Sequence, residues 1–67
     1  MKIERLNGTD YAEMYGIYED NGTPVGSAEV KIAGWECGKI FVYPLTNRYT
    51  VKDLRRIFKE GRRNGQN

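Results

Sequence analysis

Apolar residues change their period along the chain, and that change divides it into elements. Residues 11–19, YAEMYGIYE, are rich in Tyr and Ile, which fit the pleated, half-buried surface of a strand. Residues 25–33, VGSAEVKIA, alternate: Ala28, Val30 and Ile32 point one way, and Ser27, Glu29 and Lys31 the other. Between them stands Asn21-Gly22, a strong hairpin signal. A two-residue type I′ loop there sets Asp20 against Thr23. The same register pairs Tyr15 with Ala28, Ile17 with Gly26 and Tyr11 with Ile32. Directly opposed residues share a face, so Tyr11, Tyr15 and Ile17 are expected to join Ala28, Val30 and Ile32 on the core side. Glu13, opposite Val30, breaks the apolar pattern and is expected near an edge. Pro24 beside the turn suits an edge position, where its missing N–H matters little.

Gly34 marks the next turn. Residues 35–43, WECGKIFVY, predict a third strand, strongest at Lys39–Tyr43, and Pro44 ends it. The pattern leaves open whether Ile40 or Phe41 faces the core. Residues 1–10 are poorer in pattern. Ile3 and Leu6 fit an extended arm or a first strand, and Asn7-Gly8 is a turn signal.

The period then becomes helical. With Thr50 as N-cap, Val51, Leu54, Ile57, Phe58 and Gly61 fall in one apolar arc of about 120°. Lys52, Arg55, Arg56, Lys59, Arg62 and Arg63 fill the adjoining arc, and Asp53 and Glu60 lie beyond it. The Thr50 hydroxyl and Asp53 form a variant of the capping box. Arg62, Arg63 and Asn64-Gly65 suit a helix C-terminus. Gly61 weakens the last turn or allows close approach to a sheet.

The predicted architecture is α+β, a three-stranded antiparallel β-meander packed on one C-terminal α-helix, in the order β-β-β-α. Residues 1–63 form one small domain and 64–67 a flexible tail. A single helix covers one face of a sheet. The far face is expected to carry Met14, Tyr18, Ser27, Glu29 and Lys31, with Phe41 or Tyr43 beside them. A 67-residue chain buries only about 60% of its unfolded surface, so a partner or a second copy would add stability.

Composition narrows the chemistry. There is one cysteine, Cys37, and no histidine. That excludes an internal disulfide, and it leaves a Cys nucleophile without an imidazole base and a zinc site without ligands. A reducing, cytoplasmic setting is the simplest reading. No apolar run approaches the roughly 18 residues of a membrane span, and MKIERLNGTD is too polar for a signal peptide. Residues 22–26, GTPVG, lack the pattern of a phosphate loop, and the carboxylates Glu19 and Asp20 sit at a turn. No catalytic residue, metal or cofactor is therefore assigned, and no small-molecule substrate or membrane is inferred.

Charge is unevenly spread. Residues 1–30 hold two cations against six acids, and residues 31–67 nine against three. This asymmetry favours an anionic partner for the C-terminal half. The expected reading is a small non-catalytic nucleic-acid-binding or regulatory module, with Arg48, Lys52, Arg55, Arg56, Lys59, Arg62 and Arg63 as the contact surface. The alternative is a protein-interaction module, an inhibitor or adaptor or a homodimer, that uses Met14, Tyr18, Phe41 and Tyr43 on the uncovered sheet face.

Val42-Tyr43-Pro44, Arg48 and the following helix resemble the strand–loop–helix that holds acetyl-coenzyme A in GNAT acetyltransferases. The family's glycine-rich turn, R/Q-x-x-G-x-G/A, is missing, because Arg48 is followed by Tyr49, Thr50, Val51 and Lys52. Acetyl transfer is accordingly not expected. The order of strands with a terminal helix is similar to the arm-site DNA-binding domains of phage-type integrases and to the DNA-binding domains of plant ethylene-response factors. In those families the sheet, rather than the helix, enters the groove.

Overall fold

The computed structural model describes residues 1–65. Four strands and one helix follow in order: β1 (Lys2–Gly8), β2 (Ala12–Tyr18), β3 (Pro24–Lys31), β4 (Ile40–Pro44) and α1 (Val51–Gly65). The strands form one antiparallel sheet in sequence order. The expected sheet of three strands is thus corrected to four. The additional strand is β1, which pairs with β2 along an exposed edge. Its pairing shifts between Arg5 and Asn7, so Asn7-Gly8 continues the strand instead of turning. The turn comes two residues later, where the Thr9 hydroxyl accepts hydrogen bonds from the N–H groups of Tyr11 (3.1 Å) and Ala12 (3.2 Å).

The β2–β3 register is the expected one at Tyr15↔Ala28, Ile17↔Gly26 and Glu13↔Val30. It arises by a different route. Only Gly22 has a positive φ, 94°, and no non-glycine residue does. A type I′ turn needs φ above zero at both central residues, so the expected two-residue loop is excluded. The loop is Asp20-Asn21-Gly22, closed by Gly22 N–H to Glu19 C=O and Glu19 N–H to Thr23 C=O, both 2.8 Å. The extra loop residue is offset by a bulge between Ile17 and Tyr18, which pairs Tyr18 with Pro24 and leaves Val25 over. The bulge turns Val25 into the core, where it is fully buried.

Ile17, Val25, Ala28, Val30, Val42, Leu54 and Phe58 make the core, with Ile3, Tyr15, Ile40, Tyr49 and Ile57 packed around it. Ile40 pairs with Val30 and Phe41 with Glu29, so Ile40 faces the helix and Phe41 the open side. Tyr11 and Ile32 do lie together, through Ile32 N–H to Tyr11 C=O at 2.8 Å. They are nonetheless 69% and 42% exposed. The expectation that they join the core is corrected: they stand at the end of the sheet, beyond the helix's cover.

The helix starts as its cap residues dictate. Asp53 N–H donates to the Thr50 hydroxyl (3.1 Å) and Thr50 N–H donates back to the Asp53 carboxylate (3.2 Å). The Thr50 backbone N–H, and after it the Thr50 hydroxyl, holds the Asp53 carboxyl below its ordinary range. From there α1 crosses the sheet from β4 towards β1. Leu54 enters beside Gly26, where a Cβ would come within 2.8 Å of its Cδ1. Val51, at the start, remains 41% exposed and outside the core. The helix backbone reaches Gly65, past the expected end at Arg63; the end of the expected tail, 66–67, lies outside the described residues. Among the described residues, no helix is long and apolar enough to cross a membrane.

Candidate functional site

Crossing the sheet sorts the cations of α1 into two groups. One group is engaged within the fold. The Arg62 guanidinium lies over the rings of Tyr15 (5.6 Å) and Phe58 (5.5 Å), and is itself half-buried. It shields the edge-to-face pair that those rings make at 5.1 Å. Below it, the Glu13 carboxylate accepts from Arg5 Nε (2.7 Å) and from the Tyr15 hydroxyl (3.4 Å). The Arg5 bond chiefly holds the Glu13 carboxyl below its ordinary range, and the field of Arg62 adds to this. Glu13 is thereby reconciled with a position on the helix side of the sheet. Arg48 is also engaged, pairing with Glu19 at 2.7 Å and lying 6.0 Å from the Tyr49 ring centre. Arg56 pairs loosely with Asp53, 3.7 Å away and one turn earlier.

The second group comprises Lys52, Arg55, Lys59 and Arg63, which are exposed and make no ion pair among the described residues. Arg55 and Lys59 are four apart on the helix, which brings their Cβ atoms to about 5–6 Å. They form one wall of an open cleft of about 320 Å³. The opposite wall is Gly38, Lys39, Ile40 and Phe41, at the start of β4. The cleft thus has three cations at its rim, Ile40 as the apolar side chain on its helix side, and no carboxylate in its lining. Gly38 shapes the entry, since its φ of 93° allows the turn to double back before Lys39. A second depression, of about 250 Å³, is lined by Met1, Ile57, Glu60 and Gly61 and includes an acid.

The structure therefore brings Arg55 and Lys59 together as the sequence suggested, and it sets Arg48, Arg56 and Arg62 into other contacts. Lys39 was missed. It reads in the sequence as one more residue of a strand, and only the fold sets it opposite the helix. Trp35 was missed for the same reason. It stands not in a strand but in the turn at 33–38, 95% exposed.

The second candidate surface is the sheet face away from α1. The registers place Met14, Tyr18, Phe41 and Tyr43 all on it. Glu29 lies at its centre, accepting from Lys31 Nζ and from the Tyr43 hydroxyl, each at 3.2 Å. Lys31 Nζ is 5.8 Å from the Phe41 ring centre. The Tyr43 hydroxyl is pushed up, first by desolvation and then by its bond to Glu29. The Tyr18 ring lies over Gly16, where a Cβ would come within 2.5 Å of the Tyr18 hydroxyl. Much of this face is thus already satisfied by its own cross-strand contacts, though Tyr43 remains 48% exposed.

Compared with known proteins, the chain matches no family model, no curated protein and no solved structure at a significant level.

Proposed function

We propose that the chain is a small, non-catalytic nucleic-acid-binding module, of the kind that regulates by occupying its target, and that α1 supplies the contact surface. One observation carries this reading: Lys39, Arg55 and Lys59 line one cleft that has no carboxylate in its lining. Cations held apart from the acids that neutralise the rest of the surface repel one another and attract an extended anion. A phosphate backbone is the extended anion with the required charge density, and binding it releases condensed counterions. Lys52 and Arg63 extend the same exposed flank. Arg48, Arg56 and Arg62 act one step back, holding the loop, the first turn and the aromatic edge on which that flank rests.

A titration against a labelled oligonucleotide at about 50 and 200 mM salt tests the reading. Binding that weakens steeply with salt is expected. Undetectable binding at low salt would overturn it.

A second reading keeps a specific observation behind it. Met14, Tyr18, Phe41 and Tyr43 share a face that the helix leaves open, and such a face suits a protein partner or a second copy of the chain. Light scattering tests the second-copy form of this reading: a monomer across the micromolar range argues against the homodimer.

A further inference from the structure

We infer that the nucleic acid taken by this cleft is single-stranded, and that Trp35 is the platform on which one of its bases stacks. This inference rests on the proposed nucleic-acid reading and sharpens it to a ligand class.

Trp35 is the only tryptophan, and at 95% exposed it contributes almost nothing to the core. Burying such a side chain removes about 150–250 Å² from water, so an indole left open in so small a fold is available for a ligand. The backbone that carries it is also held in place. The turn that carries it is closed by Lys31 N–H to Lys39 C=O (2.9 Å) and Gly38 N–H to Lys31 C=O (2.8 Å). Inside the turn, Cys37 N–H donates to Gly34 C=O (3.2 Å) and Lys39 N–H to Glu36 C=O (3.0 Å). Gly34 and Gly38 supply the positive φ angles, 81° and 93°, that this closure requires. The backbone beneath the indole therefore loses little freedom when a base settles on it.

Chain connectivity keeps the platform near the cations. The turn ends in Gly38 and Lys39, which are themselves a wall of the cleft. Lys39 is four positions after Trp35, so their Cα atoms are no more than about 14 Å apart. A strand whose phosphates lie along Lys39, Arg55 and Lys59 can therefore present a neighbouring base to the indole.

That base must be free to offer its face. In a duplex the faces are stacked on one another, whereas a single strand can splay them onto aromatic side chains. A duplex lying along α1 would instead call on a long, continuous cationic face. Arg62 is turned onto Tyr15 and Phe58, and Arg56 pairs loosely with Asp53, which leaves a single file, Lys52, Arg55, Lys59 and Arg63, rather than a broad face. Cations, an apolar lining and one exposed aromatic are the parts of a single-strand groove.

The unique tryptophan is its own reporter. The full chain is titrated at low salt with a mixed-sequence single-stranded DNA, the matching RNA, the duplex and anionic phospholipid vesicles, following indole emission and, separately, anisotropy of a labelled oligonucleotide. Single strands are expected to quench Trp35, and Trp35→Ala is expected to weaken their binding about ten-fold or more with duplex binding unchanged. An exposed position makes that variant safe for folding, and circular dichroism checks it. Single strands and duplex binding alike, with silent indole emission and a neutral Trp35→Ala, would overturn the single-strand inference and leave the nucleic-acid reading standing. No binding of any oligonucleotide would overturn both. An emission shift with vesicles alone would assign Trp35 to a membrane surface and likewise overturn the inference.

Discussion

Gly61 of α1 lies directly against Ile3 of β1: a Cβ on Gly61 would come within 2.5 Å of Ile3 Cγ1. This contact seats the far end of the helix on the edge strand, and so orients the flank that carries Arg55 and Lys59. Two effects compete on substitution to Ala. Helix propensity favours Ala over Gly by about 1 kcal/mol. Overpacking against a branched side chain costs about 1–3 kcal/mol, and here it outweighs the gain. Gly61→Ala is expected to lower stability by about 1 kcal/mol in urea unfolding, and the double variant Gly61→Ala with Ile3→Ala to show positive coupling between the two sites. A Gly61→Ala variant more stable than the wild type would show that the helix does not approach β1 this closely.

Gly22 isolates a backbone effect. Nothing lies within 4 Å of where its Cβ would be, yet its φ is +94°. An L-residue there meets strain without any clash. Gly22→Ala is expected to cost about 1–2 kcal/mol, and a D-alanine placed by chemical synthesis to cost nothing. A neutral Gly22→Ala in thermal denaturation would contradict the three-residue loop.

Arg62 and Lys59 separate structure from binding. Arg62 lies over two core-edge rings, so Arg62→Ala is expected to lower stability by about 0.5–1 kcal/mol, partly through lost packing of its stem. Lys59, at the exposed rim, is expected to tolerate Ala within about 0.5 kcal/mol but to lose affinity for a polyanion. The opposite pattern, with Lys59 stabilising and Arg62 binding, would reject the division of the cations into two groups.

Acidification should act through Glu13, Asp20 and Asp53. The folded pKa of each is lowered: Glu13 mainly by Arg5, Asp20 by the N-terminal ammonium at 2.8 Å, and Asp53 by the backbone and hydroxyl of Thr50. A lowered folded value contributes stability above the ordinary value, and that stability is lost as pH falls through the folded one. For Glu13 the loss therefore begins below about 4.5. Melting temperature is expected to fall with pH in that acid range, and to fall less steeply in Glu13→Gln, which should already be less stable at pH 7. Parallel curves for the two proteins would remove Glu13 from the account.

The hairpin register and the helix were legible because each repeats a period: the alternation through Ala28, Val30 and Ile32, and the helical spacing of Leu54 and Phe58. The Thr50–Asp53 cap was legible because its chemistry is local. The loop type at Asn21-Gly22 was not, since one bulge at Val25 compensates for one extra loop residue, and the paired positions come out the same either way. β1 was hard to assign because an exposed edge strand needs little apolar patterning; only Ile3 is half-buried in it. Of the site, Arg55 and Lys59 could be read from the helical arc. Lys39 could not, because its place opposite that arc is made by tertiary packing between α1 and the start of β4, and the exposure of Trp35 could not, because it comes from a turn where the pattern suggests a strand. Arg62 lies on the same arc, and only the fold shows that its guanidinium turns onto Tyr15 and Phe58.

Phosphate binding at the Lys39–Arg55–Lys59 cleft is the proposal on which the functional reading turns. Its most direct test is the salt dependence of oligonucleotide binding in the wild type and in the double variant Arg55→Glu with Lys59→Glu. Losing two phosphate contacts should flatten the slope of log K against log salt by about 1.4 for a single strand, with weaker binding at low salt and an unchanged fold. A double variant that keeps both the affinity and the slope of the wild type would contradict the claim.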